Sequence, residues 1–250
     1  MRQISILNFK GGVGKSTLSM NIGHALAMQD QHVLLIDCDL QGNSSTLLAQ
    51  VNEPTLTQVL RGQAPLQAAI QNSRPHLDIV PSDRNLNKAA NHIIGEGRRA
   101  YYTLRNAIRE LKGYDIVFFD HSPNYNAVTE TALLASSEML IPCELAPFSV
   151  EGLLQMFDKL EETLVDHELE ITGIVPFKLD RRQSMHTEYM KDLKESFGEK
   201  LLTAIRTDSA VSKAQSFHQT VFEYDPQSKA AEDFKTLATV LMNNGKTVQA

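Results

Sequence analysis

Three glycines between two lysines, in the run Lys10-Gly-Gly-Val-Gly-Lys15, constrain this chain more than any other feature. Residues 4–9 alternate apolar and polar side chains as a short strand does, and residues 18–26 carry apolar side chains at helical spacing. At a strand-to-helix turn, glycines let successive backbone N–H groups converge on an anion, and the helix adds its positive N-terminal end. The context predicts a loop that cradles phosphate groups.

The side chains of this loop suit a nucleotide polyphosphate. Lys15 offers a mobile ammonium to the β- and γ-phosphates, and the Ser16 hydroxyl suits Mg²⁺. The ordinary phosphate-loop pattern has a glycine where this chain has Phe9, and a second lysine, Lys10, opens the loop instead. A lysine is usually solvated, but this loop would hold Lys10 close to its own nucleotide or to that of a facing chain.

Two aspartates stand at the end of the buried strand predicted over residues 32–37. Asp37 and Asp39 are two residues apart, a spacing that points both side chains to one side of a strand. Ligands of open α/β sheets bind beyond the carboxyl ends of the strands, so either aspartate can face the phosphate site. Aspartates also cap helices, and a helix is predicted to begin near Ser44 and Ser45.

A third aspartate, Asp120, ends a second apolar strand, Ile116–Phe119. Four apolar residues and then an aspartate form the Walker B pattern, whose carboxylate holds Mg²⁺. The pattern is weak alone and strong when a phosphate loop accompanies it. The next residue, His121, can titrate near neutral pH, but we predict a hydrogen-bonded structural side chain.

Strand-like and helix-like segments alternate along the whole chain. The alternation predicts an α/β fold, a mostly parallel, twisted sheet flanked by helices on both faces, in a single domain over residues 1–250. Residues 41–74 are less regular, and the polar residues 243–250 are predicted to fray. Helices are predicted over residues 100–112, 149–166, 185–197 and 229–242.

Composition bounds the class of protein. Apolar residues make up 42% and charged residues 22%, so a sizeable core is expected. The net charge of −6 does not indicate nucleic-acid binding, although it does not exclude a local basic patch. Cys38 and Cys143 lie in strand-like surroundings and are predicted to be buried, reduced thiols. Because no membrane-spanning run or signal-like segment is visible, we expect a cytoplasmic protein.

The motifs together resemble one family. Lys-Gly-Gly-x-Gly-Lys-[Ser/Thr] resembles the deviant Walker A motif of the ParA/MinD ATPases, which have a P-loop NTPase-like fold. Residues 37–43 resemble their Asp-x-Asp-Pro-Gln-Gly-Asn element, with Leu40 in place of proline, and residues 224–231 are similar to the C-terminal region of ParA and Soj. The resemblance runs from residue 1 to about residue 242, and it indicates the short type without an N-terminal helix-turn-helix.

The resemblance implies roles for individual residues. Lys10 would reach across a dimer interface to the nucleotide of the partner, Lys15 would bind phosphate, and Asp39 would position the attacking water. Ser16 and Asp120 would hold Mg²⁺. The implied nucleotide-binding residues, which include four at the adenine base, are Lys10, Gly11, Gly12, Val13, Gly14, Lys15, Ser16, Thr17, Pro176, Phe177, Thr207 and Asp208.

The resemblance also implies a function, with ATP and Mg²⁺ as cofactors. A ParA-type ATPase forms an ATP-dependent sandwich homodimer and binds DNA nonspecifically, so it would be associated with the nucleoid. A ParB-like or cargo-adaptor protein would stimulate hydrolysis, and the cargo would be chromosome or plasmid DNA, or a protein assembly such as a carboxysome. Four basic residues are predicted to contact DNA, although each one alone is more often a solvated charge: Arg181, Arg182, Arg206 and Lys213.

Three other classes share the phosphate loop. A MinD-like membrane ATPase is the main alternative, but the C-terminal run NNGKTVQA has too little apolar surface for a membrane helix. An iron–sulfur ATPase of the nitrogenase type needs two cysteines of each chain near the dimer axis, and neither cysteine here lies in a glycine-rich loop. A metabolic amidoligase is expected to need a further substrate domain, for which 250 residues leave no room.

Overall fold

An eight-stranded sheet crosses the molecule in this computed structural model, which describes residues 1–244. The strand order is β3-β4-β2-β5-β1-β6-β7-β8, and the pair β3–β4 is antiparallel while the other neighbouring pairs are parallel. The strands are β1 Arg2–Ile6, β2 Val33–Cys38, β3 Gln71–Arg74, β4 Leu77–Val80, β5 Ile116–His121, β6 Glu138–Glu144, β7 Glu170–Leu179 and β8 Ile205–Arg206.

Helices cover both faces of this sheet. They are α1 Lys15–Ala27, α2 Asn43–Leu48, α3 Leu56–Leu60, α4 Leu86–Glu96, α5 Thr103–Glu110, α6 Ala127–Leu134, α7 Ser149–Thr163, α8 Ser184–Phe197, α9 Ser209–Ser216, α10 Val221–Tyr224 and α11 Lys229–Asn244. Short 3₁₀ turns occupy Leu66–Ala69, Arg98–Tyr102 and Gly198–Lys200. None of the described helices is long and apolar enough to cross a membrane.

The central strands are apolar on both faces, as strands of a parallel sheet covered twice must be. All residues of β2 and β5 are buried. Leu35 and Phe118 pack in one core with α1 and α11, whereas Ile36 and Phe119 pack in the core on the opposite face. A third core joins α7 and α8 to β6 and β7. Each fully buried side chain of this size contributes roughly 1.5–3 kcal/mol.

The topology brings the ends of β1, β2 and β5 together. From β1 the chain crosses to β2 and β4, returns through β5 between β2 and β1, and continues from β6 to β8 on the other side. Because these strands are parallel neighbours, the residues after them meet at one edge of the sheet. The phosphate loop, Asp39 and Asp120 all follow or end these three strands.

The predicted α/β class is confirmed, while several boundaries differ. The helix predicted over residues 100–112 begins as a 3₁₀ turn, and its α-helical part is Thr103–Glu110. The irregular segment 41–74 contains α2, α3 and the edge strand β3. The last helix runs through Asn244, so the first two residues of the predicted polar tail are helical. The rest of that tail, residues 245–250, lies outside the described residues.

Candidate nucleotide site

The phosphate loop has a backbone that only glycine adopts without strain. Gly12 and Gly14 have φ angles of +74° and +100°, in the left-handed region. A Cβ atom on Gly14 would also lie 2.6 Å from Cδ1 of Phe177, a ring that packs against the loop. The glycines therefore serve both the turn and a close approach of the loop to β7.

Lys15 lies inside this loop rather than on the surface. Its Nζ donates to the carbonyl oxygens of Asn8, at 2.9 Å, and Lys10, at 3.1 Å. Burial lowers the pKa of Lys15, and the nearby carboxylates of Asp120 and Asp39 oppose that shift. The ammonium is thus held at the centre of the loop, where the phosphates of a nucleotide would replace its carbonyl partners.

Asp120, in β5, has one oxygen that is paired and one that is not. Oδ2 accepts a hydrogen bond from Ser44 Oγ at 2.6 Å, while Oδ1 is buried and has no partner among the described residues. Burial raises the pKa of Asp120 above its usual range. The Ser16 hydroxyl lines the cavity and lies close enough to Asp120 to stabilise its carboxylate, so the two side chains form a hard oxygen donor set, which fits Mg²⁺.

The two aspartates at the end of β2 have different tasks. Asp37 is fully buried and accepts hydrogen bonds from the backbone N–H and the hydroxyl of Ser45, at 2.8 and 2.6 Å, and from the N–H of Asp39 at 3.0 Å. Burial and the neighbouring Asp120 raise the pKa of Asp37. Asp39 instead lines the cavity over the loop. Asp37 thus fixes the turn, and Asp39 faces the site.

The cavity has a volume of about 520 Å³, within the range of small-molecule sites. The predicted residues that line it are Gly11, Gly12, Gly14, Lys15, Ser16, Thr17 and Asp39, whereas Lys10, Val13 and Asp120 do not. The four predicted base contacts do not line it. Phe177 is buried against Gly14, and Asp208 caps α9 by accepting from the N–H of Ala210 at 2.9 Å.

Residues outside the predicted set line the cavity instead. Thr46 and Leu47 of α2 line the cavity together with Gln215 and His218 from the C-terminal segment. Gln215 Nε2 donates to Thr17 Oγ1 at 2.9 Å, which ties α9 to α1. Sequence reasoning missed them because they belong to no motif, and no signal in the chain marks them.

The four predicted DNA contacts differ in how free their charges are. Arg206 pairs with Asp233 at 2.7 Å and with Glu232 at 2.6 Å, so its charge is already neutralised. Arg182 pairs with Asp180 at 2.8 Å. Arg181 and Lys213 are exposed and form no ion pair within residues 1–244. Both follow the carboxyl ends of neighbouring strands, β7 and β8.

The buried cysteines and histidine behave as predicted. Cys38 and Cys143 are free and buried, and burial raises the pKa of each thiol. His121 is fully buried, and its Nε2 lies 2.8 Å from Ser5 Oγ, which in turn lies 2.6 Å from Ser136 Oγ. Because Ser136 donates to the Ala132 carbonyl at 2.8 Å, Ser5 donates to Ser136. The proton of the neutral imidazole is therefore assigned to Nε2.

Two family models match parts of the chain. One described as an AAA domain covers residues 1–171, and one for 4Fe-4S iron–sulfur cluster binding proteins of the NifH/frxC family covers residues 135–250. The second segment contains one cysteine, Cys143, which is buried. Among the described residues no group of three or more cysteine, histidine or acidic side chains is placed to hold a metal ion.

Full-length relatives decide the family. The chain is 35% identical to the chromosome partitioning protein ParA of Caulobacter vibrioides, over 100% of this chain and 97% of that protein. The chain belongs to the ParA family of ATPases. It is also 32% identical to the sporulation initiation inhibitor protein Soj of Bacillus subtilis, over 97% of this chain and 98% of that relative. The resemblance to ParA and Soj is thereby confirmed.

A solved structure corrects one argument from length. The cobyrinic acid a,c-diamide synthase of Mycobacterium smegmatis, solved with an ATP analog and magnesium, is 24% identical with a TM-score of 0.81. The match covers 99% of this chain and 96% of that one, so this synthase has no room for a large further domain. The exclusion of amidoligases by chain length was wrong. The likeness to this structure shows the fold alone, and the family assignment rests on the ParA relatives.

The neutral His121 predicts a pH-dependent contribution to stability. Burial lowers the pKa of His121 from 6.5 to about 3. As the pH falls below 6.5, this histidine therefore becomes protonated in the unfolded chain but stays neutral in the folded chain. The free energy of unfolding of the wild type should fall relative to His121→Gln by up to ~1.4 kcal/mol per pH unit. Urea unfolding at several pH values measures this difference, and parallel pH profiles would contradict it.

Proposed function

We propose that this chain is a Mg²⁺-dependent ATPase that partitions or positions a cargo through an ATP-dependent dimer. The observation that carries the proposal is the grouping of three charged side chains. Lys15 and Asp39 line one cavity, and Asp120, whose Oδ1 has no partner among the described residues, is buried close to Lys15. Membership of the ParA family supports partitioning or positioning as the purpose of that ATPase.

Each group has a task in phosphoryl transfer to water. Lys15 and the loop amides would bind the β- and γ-phosphates, and Ser16 and Asp120 would hold Mg²⁺, which when bound neutralises phosphate charge. Asp39 would orient the attacking water with its free carboxylate oxygen, since Oδ1 accepts from the N–H of Gln41 at 3.0 Å. Catalysis of this kind depends on positioning and charge stabilisation.

Lys10 completes the proposal. Its side chain is 53% exposed at the mouth of the loop. In the sandwich dimer it would contact the nucleotide of the facing chain, so that neither site is complete in a single chain. ATP would then favour the closed dimer by binding it better than the open monomer.

The surface proposed for DNA lies at the carboxyl ends of β7 and β8. Arg181 and Lys213 carry it, because their charges are unpaired within the described chain, while Arg206 is committed to Asp233 and Glu232. Two copies in a dimer would double this charge. The contacts would be to phosphates, so binding would be nonspecific and salt-dependent. A ParB-like or cargo-adaptor protein would stimulate hydrolysis and release the dimer from the nucleoid.

Removal of the Asp39 carboxylate should separate ATP binding from hydrolysis. In Asp39→Ala the loop and Lys15 remain, so the variant should bind ATP and dimerise, while turnover falls by about 10²-fold or more because the water loses its partner. Phosphate release and light scattering measure the two properties. Hydrolysis at the wild-type rate would refute the role of Asp39.

Removal of Lys10 should leave a monomer that binds ATP. We expect Lys10→Ala to retain nucleotide binding, because Lys15 and the loop amides are intact, and to lose the ATP-dependent dimer. Lys200→Ala is a suitable control, since Lys200 is an exposed lysine paired with Glu170 at the opposite end of β7. Analytical ultracentrifugation with and without ATP gives the answer, and a dimer of Lys10→Ala would contradict the crossing of Lys10.

Neighbouring arginines provide a test of the DNA surface. With ATP and random-sequence duplex, Arg181→Ala should weaken binding and reduce the salt slope by about one per site lost. Arg182→Ala should change binding less, because its charge is already neutralised by Asp180. Fluorescence anisotropy at several salt concentrations makes the comparison. Equal losses in the two variants would contradict this placement, and no DNA binding by a wild-type ATP dimer would overturn the DNA-binding proposal.

A further inference from the structure

Glu144, the last residue of β6, joins two lysines at the mouth of the phosphate loop. Its Oε2 lies 3.3 Å from Lys10 Nζ, and its Oε1 lies 2.6 Å from Lys178 Nζ. Lys178 Nζ also donates to the carbonyl oxygen of Gly12 at 3.2 Å. One carboxylate therefore divides its two oxygens between the loop lysine and a lysine from β7.

The backbone of β7 is deformed where it presents Lys178. Lys178 has a φ of +60°, in the left-handed region that non-glycine residues rarely enter. The pairing of β7 with β8 shifts register at the same point, between Phe177 and Leu179. Such bulges re-aim a side chain, often beside active sites. Here the bulge accompanies a Lys178 side chain that reaches the phosphate loop.

The cluster is asymmetric in strength. The hydrogen bond from Lys178 is the main cause that holds the pKa of Glu144 below its usual value, and Lys10 adds to it. Glu144 is only 25% exposed, whereas both lysines are about half exposed. Glu144 thus stays charged, with Lys178 as its closer partner and Lys10 as the more loosely held one.

We propose that Glu144 and Lys178 are positioning residues for Lys10. Glu144 holds Lys10 against its own chain, and Lys178 keeps Glu144 neutralised when Lys10 leaves for the nucleotide of a facing chain. The proposal rests on the proposed function, because it needs a facing chain. Lys10 cannot pair with Glu144 and cross the interface at once, so its departure is a step that this cluster controls.

The physical reason is the charge that would otherwise be left behind. A carboxylate without a partner beside a polyphosphate is repelled by it and weakens the closed state. Because Lys178 already bonds to Oε1, the departure of Lys10 leaves an ion pair and not a lone anion. Removing Glu144 should therefore free Lys10 to leave its own chain. Removing Lys178 should instead keep Lys10 paired with Glu144.

The two removals are expected to shift dimerisation in opposite directions. Relative to the wild type, Glu144→Gln should lower the ATP concentration at half-dimerisation by about two- to fivefold, and Lys178→Met should raise it by a similar factor. Lys178→Arg, which keeps the charge, should stay close to the wild type. Analytical ultracentrifugation across an ATP titration measures all of them.

A double variant distinguishes two roles of Lys178: neutralising Glu144, and attracting the phosphates of ATP directly. If Lys178 acts through Glu144, Lys178→Met should have no effect in the Glu144→Gln background. If Lys178 attracts ATP directly, its removal weakens dimerisation equally in both backgrounds, which overturns the proposal. Lys200→Met and Glu170→Gln are matched controls, since they remove the same charges from an exposed pair at the start of β7.

Zero-length carbodiimide coupling tests the exchange directly. Without nucleotide, mass spectrometry of the treated wild type should find amide links from Glu144 to Lys10 and to Lys178. In the dimer formed with a non-hydrolysable ATP analogue, the Lys10 link should fall severalfold while the Lys178 link persists. An unchanged Lys10 link in a wild-type dimer overturns this inference and the crossing of Lys10, but leaves the ATP-dependent dimer of the proposed function standing. A wild type that never dimerises overturns the proposed function and the exchange with it.

Discussion

The site depends on opposite charges buried together at the carboxyl edge of the sheet. Asp37 and Asp120 lie side by side in register on β2 and β5, both fully buried, and the ammonium of Lys15 lies near the carboxylates of Asp120 and Asp39. Buried charges are tolerated only when they are paired and hydrogen-bonded. Ser44 and Ser45 at the start of α2 supply the hydrogen bonds, so the strand ends, the loop and α2 are held as one unit.

The residues on the phosphate side of this site could be predicted from the sequence. The glycine run, the aspartate after β2 and the aspartate of β5 are short-range patterns, and parallel neighbouring strands bring them together whenever the predicted alternation folds. The structure places Lys15, Ser16 and Asp39 around one cavity, as that pattern requires. The buried cysteines followed from their strand-like surroundings, and His121 is the hydrogen-bonded structural side chain that was predicted.

The opposite wall of the cavity and the pairing of the surface charges could not be predicted from the sequence. The partners of Arg206 lie more than 20 residues away on α11, and only the folded chain shows that its charge is neutralised. Phe177 can pack against the loop because Gly14 has no Cβ atom. Lys178 lies at a bulge that no local sequence preference predicts. These features arise from tertiary packing, which overrides the pattern of a single segment.

The nucleotide cavity is built from both ends of the chain. Gln215 and His218 form one wall, α11 packs on α1 behind the loop, and Arg2 in β1 donates to the carbonyl oxygen of Leu241 at 2.7 Å. During translation the phosphate loop is synthesised early, and α9 and α11 are synthesised late. The nascent chain therefore lacks a complete pocket until α9 and α11 have been made, so ligand binding would report that these helices have packed against α1.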